Sequence, residues 1–402
     1  MPALLRPYGD VLRVPGAWRF SASAFVARFP ISMLGIGIVL LITGTRDSYA
    51  DAGAVAAAAL VAGSLVAPLQ ARVADRVGQP RVIAPLLAVH VAALVIGVWE
   101  ATRGGSLLLI SAAAATAGAS LPQFGSFVRA RWADQLAGTG RLPTAFALES
   151  VLDEVIFVMG PVLVTLVATA VSPVLAVLGT LLFTVGGGVA YLTCRDTVPP
   201  RHAPVPGEVR APLPWRVLAP LVAAFVALGT VFGSVEVGTV AFADEAGRPG
   251  LAGVVLAAFA GGSLLSGLVF GALTSGGPTR RRLATALGVL VVALVPTLAT
   301  STLLALAASL AVAGVTISPA LITGFGLAEQ ASPRSRVTEA LAWTSTALGV
   351  GVAIGAALVG PIIDTRGADA AFVVPVAAAA VACAASVLLP TTVRSSLASA
   401  NG

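Results

Sequence analysis

The sequence predicts an all-α integral membrane protein of about twelve transmembrane helices, arranged as two six-helix pseudo-repeats with both termini in the cytoplasm. Three observations carry this prediction. The chain is 57% hydrophobic and only 10% charged, with a mean hydropathy of +0.96, whereas an ordinary soluble domain carries about 25% charge. Apolar runs recur along all 402 residues, each near the ~20 residues that a helix needs to cross the hydrocarbon core. Arginines crowd into alternate loops between those runs, the bias of cytoplasmic loops. Helices are required because a lone strand would leave its backbone groups unsatisfied in lipid.

Taken in order, spans are expected at 20–44, 52–71, 81–99, 106–128, 145–170 and 172–193, then at 216–242, 251–274, 283–299, 301–326, 338–363 and 369–390. The first holds Arg28, the only arginine inside a span. The third holds His90, read as peripheral and structural. Pro122 in the fourth and Pro161 in the fifth are expected to kink their helices. The fifth opens with Glu149, Asp153 and Glu154, and the seventh holds Glu236. Gly229/Gly233 and Gly351/Gly355 are small-xxx-small pairs that let helices approach closely. Trp18, Trp132 and Trp215 sit at span ends as expected interface anchors. Trp343 in the eleventh span is read as a packing residue.

An even number of spans puts both termini on one side. Nineteen of the 24 arginines lie in the termini and the even-numbered loops, against four (Arg46, Arg103, Arg248 and Arg366) in the opposite loops. This imbalance assigns the termini to the cytoplasm. The net charge of +6 then reflects topology rather than a nucleic-acid partner. Lysine is absent, and arginine-only basicity beside abundant Ala and Gly points to a GC-rich coding sequence. Cys194 and Cys383 form no CxxC and join no Cys/His cluster, so neither a disulfide framework nor a metal site is expected. The apolar run after Arg6, Arg13 and Arg19 is too long for a signal-peptide core, so it is expected to be retained.

The longest loop, 194–215, reads "CRDTVPPRHAPVPGEVRAPLPW" and is Pro-rich and polar. It divides the chain into an N-terminal six-helix bundle (1–193), a linker (194–215) and a C-terminal six-helix bundle (216–402). Self-similarity supports the division. "AGSLVAPLQARVADRVG" (62–78) pairs with "GGSLLSGLVFGALTSGG" (261–277), "RLPTAFA" (141–147) with "RVTEALA" (336–342), and Gly160 with Gly355. The pairs keep their order at a near-constant offset.

The loop after the second span, "ARVADRVGQPR" (71–81), carries the most specific signal. It resembles a motif of the major facilitator superfamily, Gly-x-x-x-Asp-Arg-x-Gly followed by basic residues. Asp75, Arg76 and Gly78 match, Ala71 replaces the first Gly, and Gln79-Pro80 replace the basic pair with Arg81 one place later. The second copy, "GALTSGGPTRRR", keeps Gly271 and an arginine run but has Ser275 in place of Asp. Elsewhere the chain departs from the family's exporter pattern. Only Gly160-Pro161 survive of the fifth-span glycine motif, with Ile156 and Val164 where Gly is expected. Ala114 before Gly118 stands where a fourth-span Arg is common.

The resemblance implies two six-helix halves that rock about a central cavity lined by helices 1, 4, 7 and 10. It also implies that Asp75, Arg76, Gly78 and Arg81 form a gating motif, with Asp75 near the start of the eleventh span around Thr338 to Ala342. A carboxylate there meets helix N-terminal amides.

A carboxylate at a helix centre is costly, by about 2.5–3.5 kcal/mol on insertion scales, and usually finds a partner or a water cavity. At ~1.5 Å per residue, Asp153, Glu154 and Arg28 lie at similar depth, so Arg28 is expected to pair with one of the two acids. That group is either a proton relay or substrate counter-ion, or a structural ion pair. Glu149 is expected nearer the interface, beside Arg129, Arg131 or Arg141. Glu236 has no arginine at its depth and is a candidate proton-coupling or substrate residue.

The function expected is secondary active transport of a small organic solute across the cytoplasmic membrane by a monomer using alternating access. Proton-coupled efflux of an amphipathic or apolar solute is favoured over proton-coupled uptake. A receptor or assembly factor on the same scaffold is the rival from another class. No P-loop is present, so ATP drive within the chain is not expected, nor is enzymatic activity or a cofactor.

Overall fold

The computed structural model describes residues 6–136, 139, 141–200, 213–273, 279–332 and 337–390. Twelve helices there are long and apolar enough to span a membrane. We number them α1 (Ala17–Arg46), α2 (Tyr49–Val77), α3 (Gln79–Thr102), α4 (Leu107–Gln135), α5 (Thr144–Ala170) and α6 (Pro173–Thr193), then α7 (Trp215–Glu245), α8 (Pro249–Gly267), α9 (Arg280–Ala299), α10 (Leu303–Ala331), α11 (Ala340–Arg366) and α12 (Ala368–Val387). A short helix, Arg6–Leu12, precedes them. Ser275, most of the Pro-rich linker, and Arg334 and Arg336 lie outside the described residues.

Each expected span has its helix. Several helices run past the apolar run that marks them, as α2 does from 71 to Val77. Hydropathy reports only the lipid-embedded turns, and the helix continues while its backbone remains bonded. Hydroxyl side chains begin many helices. Ser48, Ser106 and Ser172 accept from backbone N–H groups in the first turns of α2, α4 and α6, and Thr279 and Thr302 do so for α9 and α10. Each cap satisfies an N–H group that has no partner within the helix.

Proline shapes the interior. α1 is two helical segments, Ala17–Arg28 and Pro30–Arg46. α4 breaks between Ser120 and Phe124, around Pro122. The break exposes backbone groups inside the protein, and Gln70 of α2 satisfies them. Its Nε2 donates to the carbonyls of Ala119 (2.8 Å) and Leu121 (3.1 Å), and its Oε1 accepts from Gln123 N–H (3.2 Å). Pro161, by contrast, sits within a continuous helix.

Helices of each half pack on one another: α1 with α5 and α6, α2 with α4, α7 with α11 and α12, and α8 with α10. The halves meet chiefly along two pairs, α2 with α11 and α5 with α8, with α7 also touching α1. The matched glycines of the repeat do equivalent work. A Cβ at Gly160 would strike Ser32 of α1, and one at Gly355 would strike the Thr230 carbonyl of α7. In both halves, then, the fifth helix lies close on the first through a bare backbone position.

Candidate functional site

A cavity of about 1370 Å³ lies between the halves. Its lining comes from α1, α2, α4 and α5 on one side and α10 and α11 on the other, with Arg282 from α9. The wall spans from Gly35 and Ala56 at mid-helix depth to Asp75, Arg129, Arg282 and Glu329 at the arginine-rich ends. Charged groups therefore stand at one end, and Ile31, Leu34, Leu60, Ile322 and Phe325 line the deeper wall. A few hydroxyls, Ser64, Thr323, Ser345 and Thr346, punctuate it. The break in α4 puts Leu121 and Gln123 on the same surface.

The acids of α5 divide. Arg28 of α1 is buried, and its guanidinium donates from Nη2 to Glu149 (2.5 Å), from Nη1 to Asp153 (2.7 Å) and from Nε to the Ala24 carbonyl (3.1 Å). Arg129 of α4 donates to the second oxygen of Asp153 (2.8 Å). Ser21 Oγ and Trp132 Nε1 both donate to Glu149 Oε1 (2.7 Å each). Two cations and two anions form a closed, neutral cluster that ties α1, α4 and α5 together. Of the two partners considered for Arg28, the structure selects Asp153.

Glu149 departs from the expectation of an interface residue, since its side chain is 0% exposed. Counting rise along α5 gave its depth below the helix start. It did not reveal that α1 and Trp132 cover that face. Trp132 departs likewise: it is fully buried, edge-on to Phe20 at 4.7 Å between ring centres. Trp18 and Trp215 are exposed, as interface anchors would be.

Glu154 turns away from this cluster toward Ser318 of α10, which shares a 2.8 Å hydrogen bond with Ser263 of α8. It thus faces the other half. Glu236 of α7 meets neither a charged group nor a hydrogen-bond donor among the described residues. Its carboxylate rests on the bare backbone of Gly35, with Oε1 2.6 Å from where a Cβ would stand. Since Gly35 lines the cavity, Glu236 sits behind the deep end of the cavity wall.

Asp75, Arg76, Gly78 and Arg81 gather where α2 ends. Asp75 lines the cavity together with Leu341 and Ala342 of α11. The Thr338 and Glu339 side chains lie outside the described residues. Arg76 is exposed. Gly78 turns the chain from α2 to α3 with a φ of 94°, a conformation that suits glycine. Arg81 donates to the Val77 carbonyl (3.2 Å) and closes the same turn.

Gln79, one of the departures from the family motif, has a role that sequence did not reveal. Its Oε1 accepts from Arg131 Nε (3.0 Å) and from the Tyr191 hydroxyl (3.1 Å), and its Nε2 donates to the Phe127 carbonyl (3.0 Å). Arg131 is itself fully buried, lies 3.8 Å over the Tyr191 ring and donates to the Cys194 carbonyl and the Thr197 hydroxyl. A basic residue at 79 would face this guanidinium. His90 is buried with Nδ1 2.8 Å from the Ala117 carbonyl, a packing role between α3 and α4.

Twelve membrane-length helices and a central cavity make this a polytopic membrane protein. Its fold is the one of the Major Facilitator Superfamily, whose family model matches residues 237–401. No curated protein matches the chain in sequence. Solved structures match it in shape. The nucleoside transporter NupG superposes with a TM-score of 0.68 at 14% identity, over 92% of this chain and 97% of that one. An auto-inhibited POT family peptide transporter does so with 0.67 at 16%, over 93% and 96%. The human organic anion transporter MFSD10 (TETRAN) gives 0.64 at 15%, over 93% and 99%.

Proposed function

We propose that the chain is a secondary active transporter of the cytoplasmic membrane, moving a small amphipathic or apolar organic solute outward in exchange for protons. The arginine-rich face is the cytoplasmic one, and the monomer works by rocking its two halves about the cavity. The observation that carries this reading is the cavity itself: apolar at depth, charged only toward its arginine-rich end, and backed by Glu236. An apolar wall with scattered hydroxyls suits a hydrophobic solute better than a sugar, whose many hydroxyls need matching partners.

Glu236 supports proton coupling because it is an acid without a fixed partner. The neutral cluster of Arg28, Glu149, Asp153 and Arg129 supports a structural role for Asp153 and Arg28, since each of its carboxylates is already matched by a guanidinium. Glu154, which faces the opposite half, is the second candidate for coupling.

The test begins with a thermal-shift screen of amphipathic solutes, followed by counterflow in proteoliposomes. Exchange of a stabilising solute, and its movement against a gradient when a pH difference is imposed, is the expected result. A protein that binds solutes but exchanges none would instead be a receptor on this scaffold. Accumulation in the direction of proton flow would identify uptake.

A further inference from the structure

The antiparallel pair α2 and α11 joins the two halves, and its two ends are built alike. α2 finishes Asp75-Arg76-Val77-Gly78, and α11 finishes Asp364-Thr365-Arg366-Gly367. In each, an Asp stands three residues before a glycine of positive φ, 94° at Gly78 and 84° at Gly367. Because the helices run in opposite directions, each Asp lies at the end of the pair where its partner helix begins.

At the face opposite the arginine-rich loops this arrangement is fully formed. Asp364 Oδ1 accepts from the Tyr49 N–H (2.9 Å), and Oδ2 accepts from the Ala50 N–H (2.9 Å) and the Ser48 hydroxyl (3.2 Å). These amides belong to the first turn of α2, where N–H groups lack helical partners and the helix dipole is positive. Two further bonds lie at the same face, the first between the halves and the second within the C-terminal one. The Tyr49 hydroxyl donates to Asp244 at the end of α7 (3.2 Å), and the Ala368 N–H donates to Glu245 (2.8 Å). Backbones touch beneath them: a Cβ at Gly53 would strike the Ala356 carbonyl, and one at Gly360 would strike the Tyr49 carbonyl.

We propose that Asp364 is the outer latch of this transporter, holding the start of α2 against the end of α11 while the cavity is reached from the arginine-rich face. An ordinary N-cap comes from the residue just before its helix, and here Ser48 already fills that place by accepting from Asp51 N–H. Asp364 is a second cap supplied from the other half of the molecule. It cannot stay bonded if the halves separate at this face, so its hydrogen bonds exist in one state of the cycle and break in the other. The proposal rests on the alternating-access reading, and its test reads conformation rather than transport.

The experiment places nitroxide labels at Thr102→Cys and Arg248→Cys, exposed sites on the two halves at this face, in a Cys194→Ser/Cys383→Ser background. Pulsed EPR distances are recorded in nanodiscs without added solute. The unmutated latch should give mainly the short distance. Asp364→Ala should raise the ratio of long to short at least tenfold. Asp364→Asn, which keeps one acceptor oxygen, should fall between, and Tyr49→Phe should move the ratio in the same direction by a smaller factor. An Asp364→Ala distribution superimposable on that of the parent overturns the latch. Asp75→Asn separates the two readings. If it shifts the ratio while Asp364→Ala does not, the latch is wrong and alternating access stands. If a single fixed distance persists in every variant, both fall.

Discussion

Glu149 Oε2 accepts from Arg28 Nη2 at 2.5 Å, with the Arg28 side chain 1% exposed and that of Glu149 0% exposed. Arg28 also holds Asp153, but that carboxylate is 29% exposed and shared with Arg129. Burial and sharing rank the two bonds. Loss of one partner from a buried pair leaves an uncompensated charge and costs about 3–5 kcal/mol. Arg28→Ala and Glu149→Ala should each destabilise by that order, and Asp153→Ala by less than half as much. The Arg28→Ala/Glu149→Ala double variant should lose well under the sum of its single changes. Melting temperatures in detergent measure this, and additive losses would show that the two residues act independently.

The Gln70 side chain substitutes for the backbone bonds that Pro122 removes. Gln70→Leu keeps the volume and deletes the donors and the acceptor. Two carbonyls and one amide are then left without their partner, at roughly 1–3 kcal/mol for each unsatisfied buried group. The variant should melt lower and be cleaved faster by protease near residues 119–123. Unchanged melting would mean that water serves the break equally well.

Gln79 makes a prediction against the family pattern. Gln79→Arg restores a basic residue beside Gly78 but sets a second guanidinium against the fully buried Arg131. An unpaired buried charge of this kind costs several kcal/mol, so expression and melting temperature should both fall. Pairing the change with Arg131→Gln should recover much of the loss. A stable Gln79→Arg single variant would show that the Arg131 pocket rearranges freely.

These residues mark what was legible in the sequence. The twelve spans followed from apolar run length, because lipid permits few alternatives to a helix. The duplicated architecture followed from paired segments, and Gly160 and Gly355 do pack equivalent helices. Depth along a helix was also readable, and it correctly brought Arg28 and Asp153 to one level. Azimuth was not. Whether Glu149 faces lipid headgroups or Trp132 depends on how α1, α4 and α5 rotate against one another, and that is set by packing across more than a hundred residues of sequence. Gln70 and Gln79 left no signal for the same reason: a polar residue in a span is meaningful only once its partner helix is placed.

Asp75 lines the cavity with Leu341 and Ala342 of α11, and a carboxylate there would meet the positive end of that helix when the arginine-rich side closes. Asp75→Asn keeps the shape and removes the charge. Expression and melting temperature should hold, while solute counterflow should drop by tenfold or more. Counterflow at the unmutated rate would remove the gating role from Asp75.

Glu236 is the acid on which coupling is proposed to turn. A proton-coupled carrier needs a group that binds a proton in one state and releases it in another, and arginine cannot serve, since its guanidinium stays protonated in proteins. Arg28 and Asp153 are held in a neutral cluster, whereas Glu236 has no charged or hydrogen-bonding partner among the described residues. Glu236→Gln reproduces the protonated form in size and neutrality. It should bind solute and exchange it in counterflow, yet fail to move it against a gradient under an imposed pH difference. Gly35→Ala gives an independent check, because a methyl there collides with the Glu236 carboxylate and should impair the same coupled step. Uphill transport that survives in Glu236→Gln would place the coupling proton elsewhere. Glu154 is then the residue to replace next, because its side chain faces Ser318 in the opposite half and its surroundings must change whenever the halves move apart.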